Sequence, residues 1–187
     1  HAIMRLTSLK NNTYPKIWSF DIDGVLNDYP NIWLDYIYKK TGKKYISKQG
    51  AKKSLGSLYS SIKNDYRRSD YKYQVPIKLE AKRLMSRLRK NGDKVIISTT
   101  RPFSDFDFMK ERTEDWLDSN DIQYDYIISK CNLYKEKFDV HIDDSIQDIL
   151  DIRSNTTVGK FVLYSPIGGH QYLPDDVQVV SSLLNIR

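Results

Sequence analysis

Short apolar runs alternate along this chain with longer segments in which apolar side chains recur every three or four residues. The short runs predict β-strands and the longer segments predict α-helices. The predicted strands cover residues 16–22, 94–99, 124–129, 138–143 and 160–164. The predicted helices cover residues 30–40, 77–91, 104–118 and 145–152. Strands that alternate with helices are joined by right-handed crossovers, so the pattern predicts a doubly wound (Rossmann-like) α/β sheet that is mostly parallel.

The ends of the predicted helices carry stop and start signals. Asn91-Gly92 is a good C-terminal stop for the helix before it. Ser104-Asp105 and Ser145 are suited to cap the helices that follow them. The tail, 165–187, is rich in Pro and Gly at its start, which predicts a loop and then a short final strand or helix.

The connection between the first and second predicted strands is far longer than one crossover needs. Its second half, 47–70, is polar, basic and rich in tyrosine. That segment also has apolar residues at helical spacing, namely Leu55, Leu58 and Ile62. We therefore interpret 28–76 as a small helical cap inserted after the first strand, over the carboxyl end of the sheet. Residues 1–27 and 77–187 then form the α/β core.

The first strand ends in two aspartates, Asp21 and Asp23, and Gly24 turns the chain directly afterwards. Residues i and i+2 of a strand point to the same side, so both carboxylates leave the carboxyl end of the strand together. Open α/β sheets bind their ligands at that end. Because two close carboxylates repel each other unless a cation or a proton lies between them, the pair indicates Mg2+ together with a phosphate.

Three further strands also deliver polar residues at their carboxyl ends. The second is followed by Thr99-Thr100-Arg101, whose hydroxyl groups are suited to donate to a phosphoryl oxygen. The third is followed by Lys130, a point charge suited to hold a phosphate. The fourth ends in Asp143-Asp144, which would complete a Mg2+ site. The competing interpretations are a helix cap for Asp143-Asp144 and an ordinary strand position for Thr99.

In this order, the set resembles the haloacid-dehalogenase-like (HAD-like) phosphohydrolase superfamily. Residues 21–26 (Asp-Ile-Asp-Gly-Val-Leu) match its first motif, Thr99 its second, Lys130 its third and Asp143-Asp144 its fourth. Thr-Thr-Arg replaces the commoner Thr-Gly-Arg, and the strand register favours Thr99 over its neighbour. The position of the insertion and the sequences of residues 142–145 and 162–166 most resemble the 5'(3')-deoxyribonucleotidase-like branch.

The lysine of the third motif has two competitors. Lys130 is favoured over Lys135 and Lys137 because it follows the apolar strand directly.

The resemblance implies roles for the two acidic residues of the first motif. Asp21 would attack phosphorus and form an aspartyl-phosphate. Asp23 would protonate the leaving oxygen and later deprotonate the attacking water. Mg2+ would bind Asp21, the main-chain carbonyl of Asp23, and Asp143 or Asp144, with the last choice left open.

The remaining motif residues would act on the substrate. Thr99 and Lys130 would stabilise the charge on the phosphoryl oxygens in the transition state. Thr100 and Arg101 are candidates for substrate contacts, although Arg101 is equally suited to form a salt bridge at the end of the sheet.

Composition narrows the class of protein further. The chain has 187 residues with 40% hydrophobic and 29% charged residues, which is typical of a globular domain. The net charge of +6 favours anionic ligands or simply a lysine-rich surface. The single cysteine, Cys131, excludes an internal disulfide framework and a cysteine-rich metal site. Without an apolar run long enough to span a bilayer, and without signal-peptide features, the sequence predicts a cytoplasmic enzyme.

The predicted function is Mg2+-dependent hydrolysis of a small phosphomonoester, with nucleoside (deoxy)monophosphates as the favoured substrates. Sugar phosphates, other small metabolites and the 3'-phosphate ends of nucleic acids are the alternatives, and nucleic acid is possible as a partner but not favoured. A catalytically silent phosphate-binding module is the non-enzyme alternative, and the presence of both Asp21 and Asp23 argues against it. The sequence leaves the oligomeric state open.

Five other aromatic and histidine residues invite a functional role but have simpler explanations. His141 is expected to pack in the sheet and His170 to lie in a loop. Trp33, Tyr36 and Tyr59 could stack on a nucleobase, but packing within the insertion is the favoured interpretation.

Overall fold

Six parallel strands form the centre of the molecule, within the residues that the computed structural model describes (14–157, 159–168 and 173–186). The strands are β1 (Ile17–Phe20), β2 (Lys94–Thr99), β3 (Tyr126–Ser129), β4 (Val140–Asp143), β5 (Lys160–Tyr164) and β6 (Val177–Val180). They are hydrogen-bonded in the order β3-β2-β1-β4-β5-β6, and every neighbouring pair is parallel. The prediction of a doubly wound α/β sheet is therefore confirmed.

Helices connect the strands. The described residues contain α1 (Asn31–Thr41), α2 (Lys48–Leu55), α3 (Ser57–Arg68), α4 (Leu79–Lys90), α5 (Met109–Ser119) and α6 (Ile146–Ser154). Short 3-10 helices lie at Asp70–Gln74, Phe103–Asp105, Lys130–Lys135 and Leu183–Asn185. Each described helix is too short or too polar to cross a membrane.

Two of the three predicted helix ends are confirmed. After α4 the chain turns at Gly92, which has φ +80°, a conformation that glycine adopts without strain. Before α6 the Ser145 hydroxyl accepts a hydrogen bond from the Asp148 N–H at 3.2 Å. The third was wrong, because α5 begins at Met109 rather than at Ser104. Phe106 explains the difference, since it is buried with an extended backbone that interrupts the helix.

Apolar layers cover both faces of the sheet. Along β5, Val162 packs in the layer that contains Leu84 of α4, whereas its neighbours Phe161 and Leu163 pack in the layer that contains Ile149 of α6. Successive side chains of a strand point to opposite faces, so this alternation requires cover on both sides. The sheet is thereby buried, and its carboxyl edge is left as the place for polar chemistry.

The insertion between β1 and β2 has its own apolar cluster. It is formed by α1, α2 and α3, with Trp33, Ile37, Ile62 and Tyr66 at its centre. Packing is thus the observed role of Trp33 and also of Tyr36, which is 7% exposed. The helical structure predicted for 28–76 is present, while the treatment of this segment as a separate domain stays a prediction.

One residue of the predicted helical stripe is not part of that cluster. Leu58 is 50% exposed, whereas Ile62 is buried. Leu58 is exposed because the helix direction changes at Gly56. This residue has φ +56° and lies between the end of α2 and the start of α3. A stripe drawn through Leu55 and Leu58 therefore joins two different helices. In the tail, of the final strand or helix that the sequence left open, the structure has a strand, β6, and His170 lies outside the described residues.

Candidate active site

Two aspartates meet because β1 and β4 end at the same level. Phe20 is paired with Ile142, so Asp21 and Asp143 are the next residues on neighbouring strands. The Asp21 N–H donates to the Ile142 carbonyl at 3.0 Å, which fixes the backbone at this point. Both side chains are buried, with 5% exposure for Asp21 and 0% for Asp143.

Lys130 lies between these carboxylates. Its Nζ atom is 2.9 Å from Asp21 Oδ1, 2.8 Å from Asp143 Oδ2 and 3.0 Å from Asp148 Oδ2. Burial disfavours the ammonium, but the carboxylates of Asp21 and Asp143 raise the pKa of Lys130 above its usual range. The side chain is therefore a fixed positive charge.

The other two lysines considered from the sequence, Lys135 and Lys137, are exposed and do not line the cavity at this end of the sheet. Of the three, only Lys130 is among the strand-end carboxylates.

Asp144 completes an acidic cluster with Asp21 and Asp143. Carboxylate oxygens of the three residues lie within 4.8 Å of one another, the only such group found among the described residues. Burial and the Asp143 carboxylate raise the pKa of Asp21 well above its ordinary value. The same two causes raise the pKa of Asp144 to about 6.

The cluster fits a divalent cation. Lys130 alone does not balance three carboxylates, since two of them still have raised pKa values beside it. Hard carboxylate oxygens at this spacing are the donors that Mg2+ prefers. Gly24 also keeps space for the cluster, because a Cβ atom at this position would overlap the Asp144 carboxylate.

Asp143 is held by a chain of buried hydrogen bonds that crosses three strands. His141 Nε2 lies 2.9 Å from Asp143 Oδ2, His141 Nδ1 lies 2.9 Å from the Ser19 hydroxyl, and that hydroxyl lies 2.8 Å from the Ser98 hydroxyl. A carboxylate only accepts, so Nε2 donates to it, and in the neutral imidazole Nδ1 accepts from Ser19. Burial opposes ionisation of Asp143, but His141 and Lys130 hold its pKa below the ordinary value.

His141 is thus packed in the sheet, as expected, and also supports Asp143. The sequence carried a signal for this role, because positions i and i+2 of a strand share a face. Asp148, the third carboxylate that contacts Lys130, was also not predicted from the sequence. Its signal is the Ser-x-x-Asp spacing after β4, which brings the carboxylate to the first turn of α6.

Asp23 is engaged differently from Asp21. Arg101 Nε lies 2.9 Å from Asp23 Oδ2 and Arg101 Nη2 lies 2.8 Å from Asp23 Oδ1, a bidentate pair. Arg101 is itself anchored by a 3.0 Å hydrogen bond to the Thr113 hydroxyl. Burial acts to raise the pKa of Asp23, but Arg101 and Lys72 hold it well below the ordinary value. From the sequence, Arg101 was suited either to contact the substrate or to form a salt bridge. In the structure it forms the salt bridge, with Asp23.

The two threonines after β2 have different environments. Thr99 ends the strand and is buried, and its hydroxyl accepts a 3.0 Å hydrogen bond from the Arg101 N–H. Thr100 is exposed and lines the cavity above the acidic cluster. The choice of Thr99 for the phosphate stays a prediction.

Comparison with known proteins supports the fold. No family model and no curated protein matches the chain. Among solved structures, a magnesium-bound protein of Bacillus subtilis assigned as the HAD-hydrolase YfnB is similar with a TM-score of 0.64 and 12% identity, over 93% of this chain and 100% of that one. A HAD-superfamily hydrolase of subfamily IA from Geobacter sulfurreducens has a TM-score of 0.55 and 15% identity, over 88% of this chain and 91% of that one. D,D-heptose 1,7-bisphosphate phosphatase from Burkholderia thailandensis has a TM-score of 0.51 and 13% identity, over 90% of this chain and 93% of that one.

The fold is that of HAD-superfamily hydrolases. At these identities the similarity concerns the fold alone. The comparisons do not support the 5'(3')-deoxyribonucleotidase-like branch in particular, and that part of the resemblance stays a prediction.

In this HAD fold the acidic cluster opens into a cavity of about 620 Å³ that the insertion also lines. Asp21, Asp23, Lys130 and Asp144 line it from the strand ends. From the insertion it is lined by Tyr29, Lys48, Gln49, Lys63, Arg67 and Lys72. The insertion residues were not predicted individually. A partial signal existed, since Lys63 and Arg67 are four residues apart and so share one face of α3.

Proposed function

We propose that this protein is a Mg2+-dependent phosphomonoester hydrolase that acts through an aspartyl-phosphate on Asp21. The observation that carries the proposal is the position of Asp21, a carboxylate at the base of an open cavity that is held by Lys130 beside two further acidic residues. A buried group with several like charges around it is typical of a functional site rather than of a structural ion pair.

In the first step an Asp21 oxygen attacks phosphorus. A bond forms between that oxygen and phosphorus, and the bond from phosphorus to the leaving oxygen breaks. Lys130 holds Asp21 and supplies positive charge as negative charge builds on the phosphoryl oxygens. In the second step water attacks the aspartyl-phosphate, which releases inorganic phosphate and restores Asp21.

Asp23 carries the proton in this proposal. It donates a proton to the leaving oxygen and later accepts one from the attacking water. Because Arg101 favours its ionised form, Asp23 is ready to act as the base, whereas the acid step requires the Arg101 contact to loosen. Arg101 is then available to the substrate, as is Thr100, which lines the cavity. Thr99 is buried, so its proposed contact with the phosphate requires its hydroxyl to become accessible.

Asp21, the main-chain carbonyl of Asp23, and Asp143 or Asp144 would hold Mg2+. When bound, the cation offsets the repulsion between the carboxylates and the phosphate. Asp144 lines the cavity and Asp143 is fixed from behind by His141, so we favour Asp144 as the ligand on the substrate side.

The test is hydrolysis of p-nitrophenyl phosphate in Mg2+. We expect turnover that EDTA abolishes and that falls to background in Asp21→Asn. The matched control is Asp28→Asn, an exposed aspartate of the same turn that does not line the cavity, and it should retain turnover. Asp21→Asn should also be at least as stable as the parent in a thermal melt, because it removes a carboxylate whose pKa burial raises. Hydrolysis that survives in Asp21→Asn would contradict the assignment.

Nucleoside (deoxy)monophosphates remain the proposed substrates, and a cavity of about 620 Å³ is large enough for a ligand of that size. Sugar phosphates are the second candidate, favoured by the similarity in fold to a heptose bisphosphate phosphatase. Steady-state kinetics on matched nucleoside and hexose monophosphates separates the two, and a preference for the hexoses would reject the nucleotide proposal.

A further inference from the structure

Cations of the insertion face the active-site cavity. Lys48 of α2, Lys63 and Arg67 of α3, and Lys72 of the following 3-10 helix all line it. None of the four forms an ion pair with a carboxylate of the described residues, although the structure pairs Lys130 and Arg101 with aspartates in the same cavity. We refer to Lys48, Lys63, Arg67 and Lys72 as the cation cluster.

Lys63 is held among aromatic rings rather than by acids. Its Nζ atom lies 4.4 Å from the centre of the Trp33 ring and 4.6 Å from that of Tyr29, and it donates a 2.5 Å hydrogen bond to the Tyr29 hydroxyl. Aromatic faces attract an ammonium and orient it without neutralising its charge. The result is a positioned cation that still carries a full positive charge into the cavity when it is protonated.

Lys72 is more deeply placed, with 5% exposure. Its Nζ atom lies over the Tyr66 ring at 5.1 Å. The one carboxylate that favours its charge is Asp23, which Arg101 already holds through both oxygens. Burial and nearby cations lower the pKa of Lys72 to about 7 and that of Lys63 to about 6. Placing so many positive groups together costs free energy that a bound anion would recover.

We propose that the cation cluster binds a second phosphate group of the substrate, so that a sugar or nucleoside bisphosphate is preferred over the monophosphate with the same core. The inference rests on the proposed function, because it assumes that the first phosphate reacts at Asp21. Lys130 and a divalent cation together balance the carboxylates of Asp21, Asp143 and Asp144. When protonated, the four cations of the cluster therefore exceed the charge of one phosphate dianion and match that of two phosphates. A neutral sugar or base attached to a single phosphate would leave about half of that charge unmatched.

The shared chemistry, a phosphomonoester with a second phosphate, is available in both sugar and nucleoside bisphosphates. The experiment therefore compares glucose 6-phosphate with glucose 1,6-bisphosphate, and adenosine 5'-monophosphate with adenosine 3',5'-bisphosphate. The measured quantity is the ratio of kcat/KM for each bisphosphate to that for its monophosphate, in Mg2+. We expect a ratio of roughly tenfold or more for at least one pair, since contacts between charged groups and phosphate are worth that much.

Substitutions in the cation cluster test whether it causes the preference for the bisphosphate, measured as the ratio of kcat/KM values. Lys63→Met and Lys72→Met keep the length of the side chain and remove the charge, so we expect each to lower the ratio several-fold. Arg67→Met, at a less buried position, is a third variant in case either lysine variant fails to fold. The matched control is Lys53→Met, an exposed lysine of α2 that does not line the cavity, and it should leave the ratio unchanged.

The outcomes separate the two proposals. Hydrolysis without preference for either bisphosphate, or a preference that all three cluster variants retain, overturns the inference and leaves the phosphatase standing. If no phosphomonoester is hydrolysed, the same four compounds are titrated in EDTA against the intrinsic tryptophan fluorescence, to which Trp33 beside Lys63 contributes. Tighter binding of a bisphosphate that Lys63→Met weakens would then support the cluster while the phosphatase proposal fails. Equal binding of each pair would overturn the cluster.

Discussion

At the scale of single residues, the site combines carboxylates with opposite electrostatics two positions apart. Asp21 lies among acids and its pKa is raised, whereas Asp23 is gripped by Arg101 and its pKa is lowered. These shifts favour the neutral form of Asp21 and the ionised form of Asp23, so the proposed roles require the divalent cation to keep Asp21 ionised and the Arg101 contact to loosen when Asp23 donates its proton. The sequence predicted both aspartates and their roles but not the opposite pKa shifts, because Arg101, the partner of Asp23, comes from the end of a different strand.

The first prediction concerns Arg101→Met. Removing the guanidinium should raise the pKa of Asp23, because burial is then opposed only by the Lys72 charge and the Asn27 hydrogen bond. An acid donates its proton only below its pKa, so the alkaline limb of kcat/KM against pH should move to higher pH in the variant. Arg101→Lys, which keeps the charge but not the bidentate geometry, should move it less. The same limb in all three proteins would show that Asp23 does not titrate in this step.

The second prediction concerns Gly24→Ala. The backbone of Gly24 has φ +90°, and an added Cβ would overlap the Asp144 carboxylate. We expect a loss of stability of about 1–2 kcal/mol from the backbone alone, together with a higher Mg2+ concentration for half-maximal activity. Gly42→Ala is a control, since Gly42 also has positive φ but nothing lies within 4 Å of the added atom. It should lose stability without a change in the Mg2+ requirement.

At the scale of elements, the strands and the helical character of the insertion were predictable, whereas the packing of the insertion was not. Every predicted strand lies within two residues of its observed ends where the described residues can be compared, because buried parallel strands are short apolar runs. The insertion mixes tyrosine and lysine, and its packing depends on where Gly56 divides two helices. Its cations reach the cavity through tertiary packing, of which the sequence carried only a partial signal, the shared helix face of Lys63 and Arg67.

The third prediction follows from that division. Ile62→Ala should cost about 2–4 kcal/mol of unfolding free energy, because it empties space in the apolar cluster of the insertion. Leu58→Ala should cost less than about 1 kcal/mol, because half of the Leu58 side chain is exposed. Urea denaturation of the two variants measures both values. Equal losses would mean that α3 packs through a different face.

At the scale of the whole molecule, the fold brings the ends of four strands and the insertion to one cavity. The order of these strand ends along the sequence predicted that their polar side chains meet, since parallel strands share a carboxyl edge. Strand register favoured Thr99 over Thr100, but it does not fix which of Thr99, Thr100 and Arg101 reaches the cavity, because that depends on side-chain orientation after the strand ends.

The fourth prediction concerns Mg2+ and pH. Asp144 has a pKa of about 6 without the cation, and a carboxylate must lose its proton to bind a metal. Mg2+ should therefore bind more tightly as the pH rises through 6. At a concentration 100 times its dissociation constant, it should stabilise the protein by about 2.7 kcal/mol. Thermal melts with and without Mg2+ at pH 5 and pH 7.5 test this, and an equal shift at both pH values would exclude Asp144 as a ligand.

The serine–serine–histidine chain beneath Asp143 has a consequence for how this protein can change. Its three members occupy interior positions of β2, β1 and β4, where an aliphatic side chain would ordinarily improve packing. Replacing Ser19 by valine would leave His141 Nδ1 without its partner and the Ser98 hydroxyl with only a 3.5 Å contact to the Phe20 carbonyl, which weakens the support of Asp143. We therefore expect aliphatic substitutions at the centre of this sheet to lower the catalytic rate even where they raise the melting temperature. Stabilising substitutions should be sought in the outer layers.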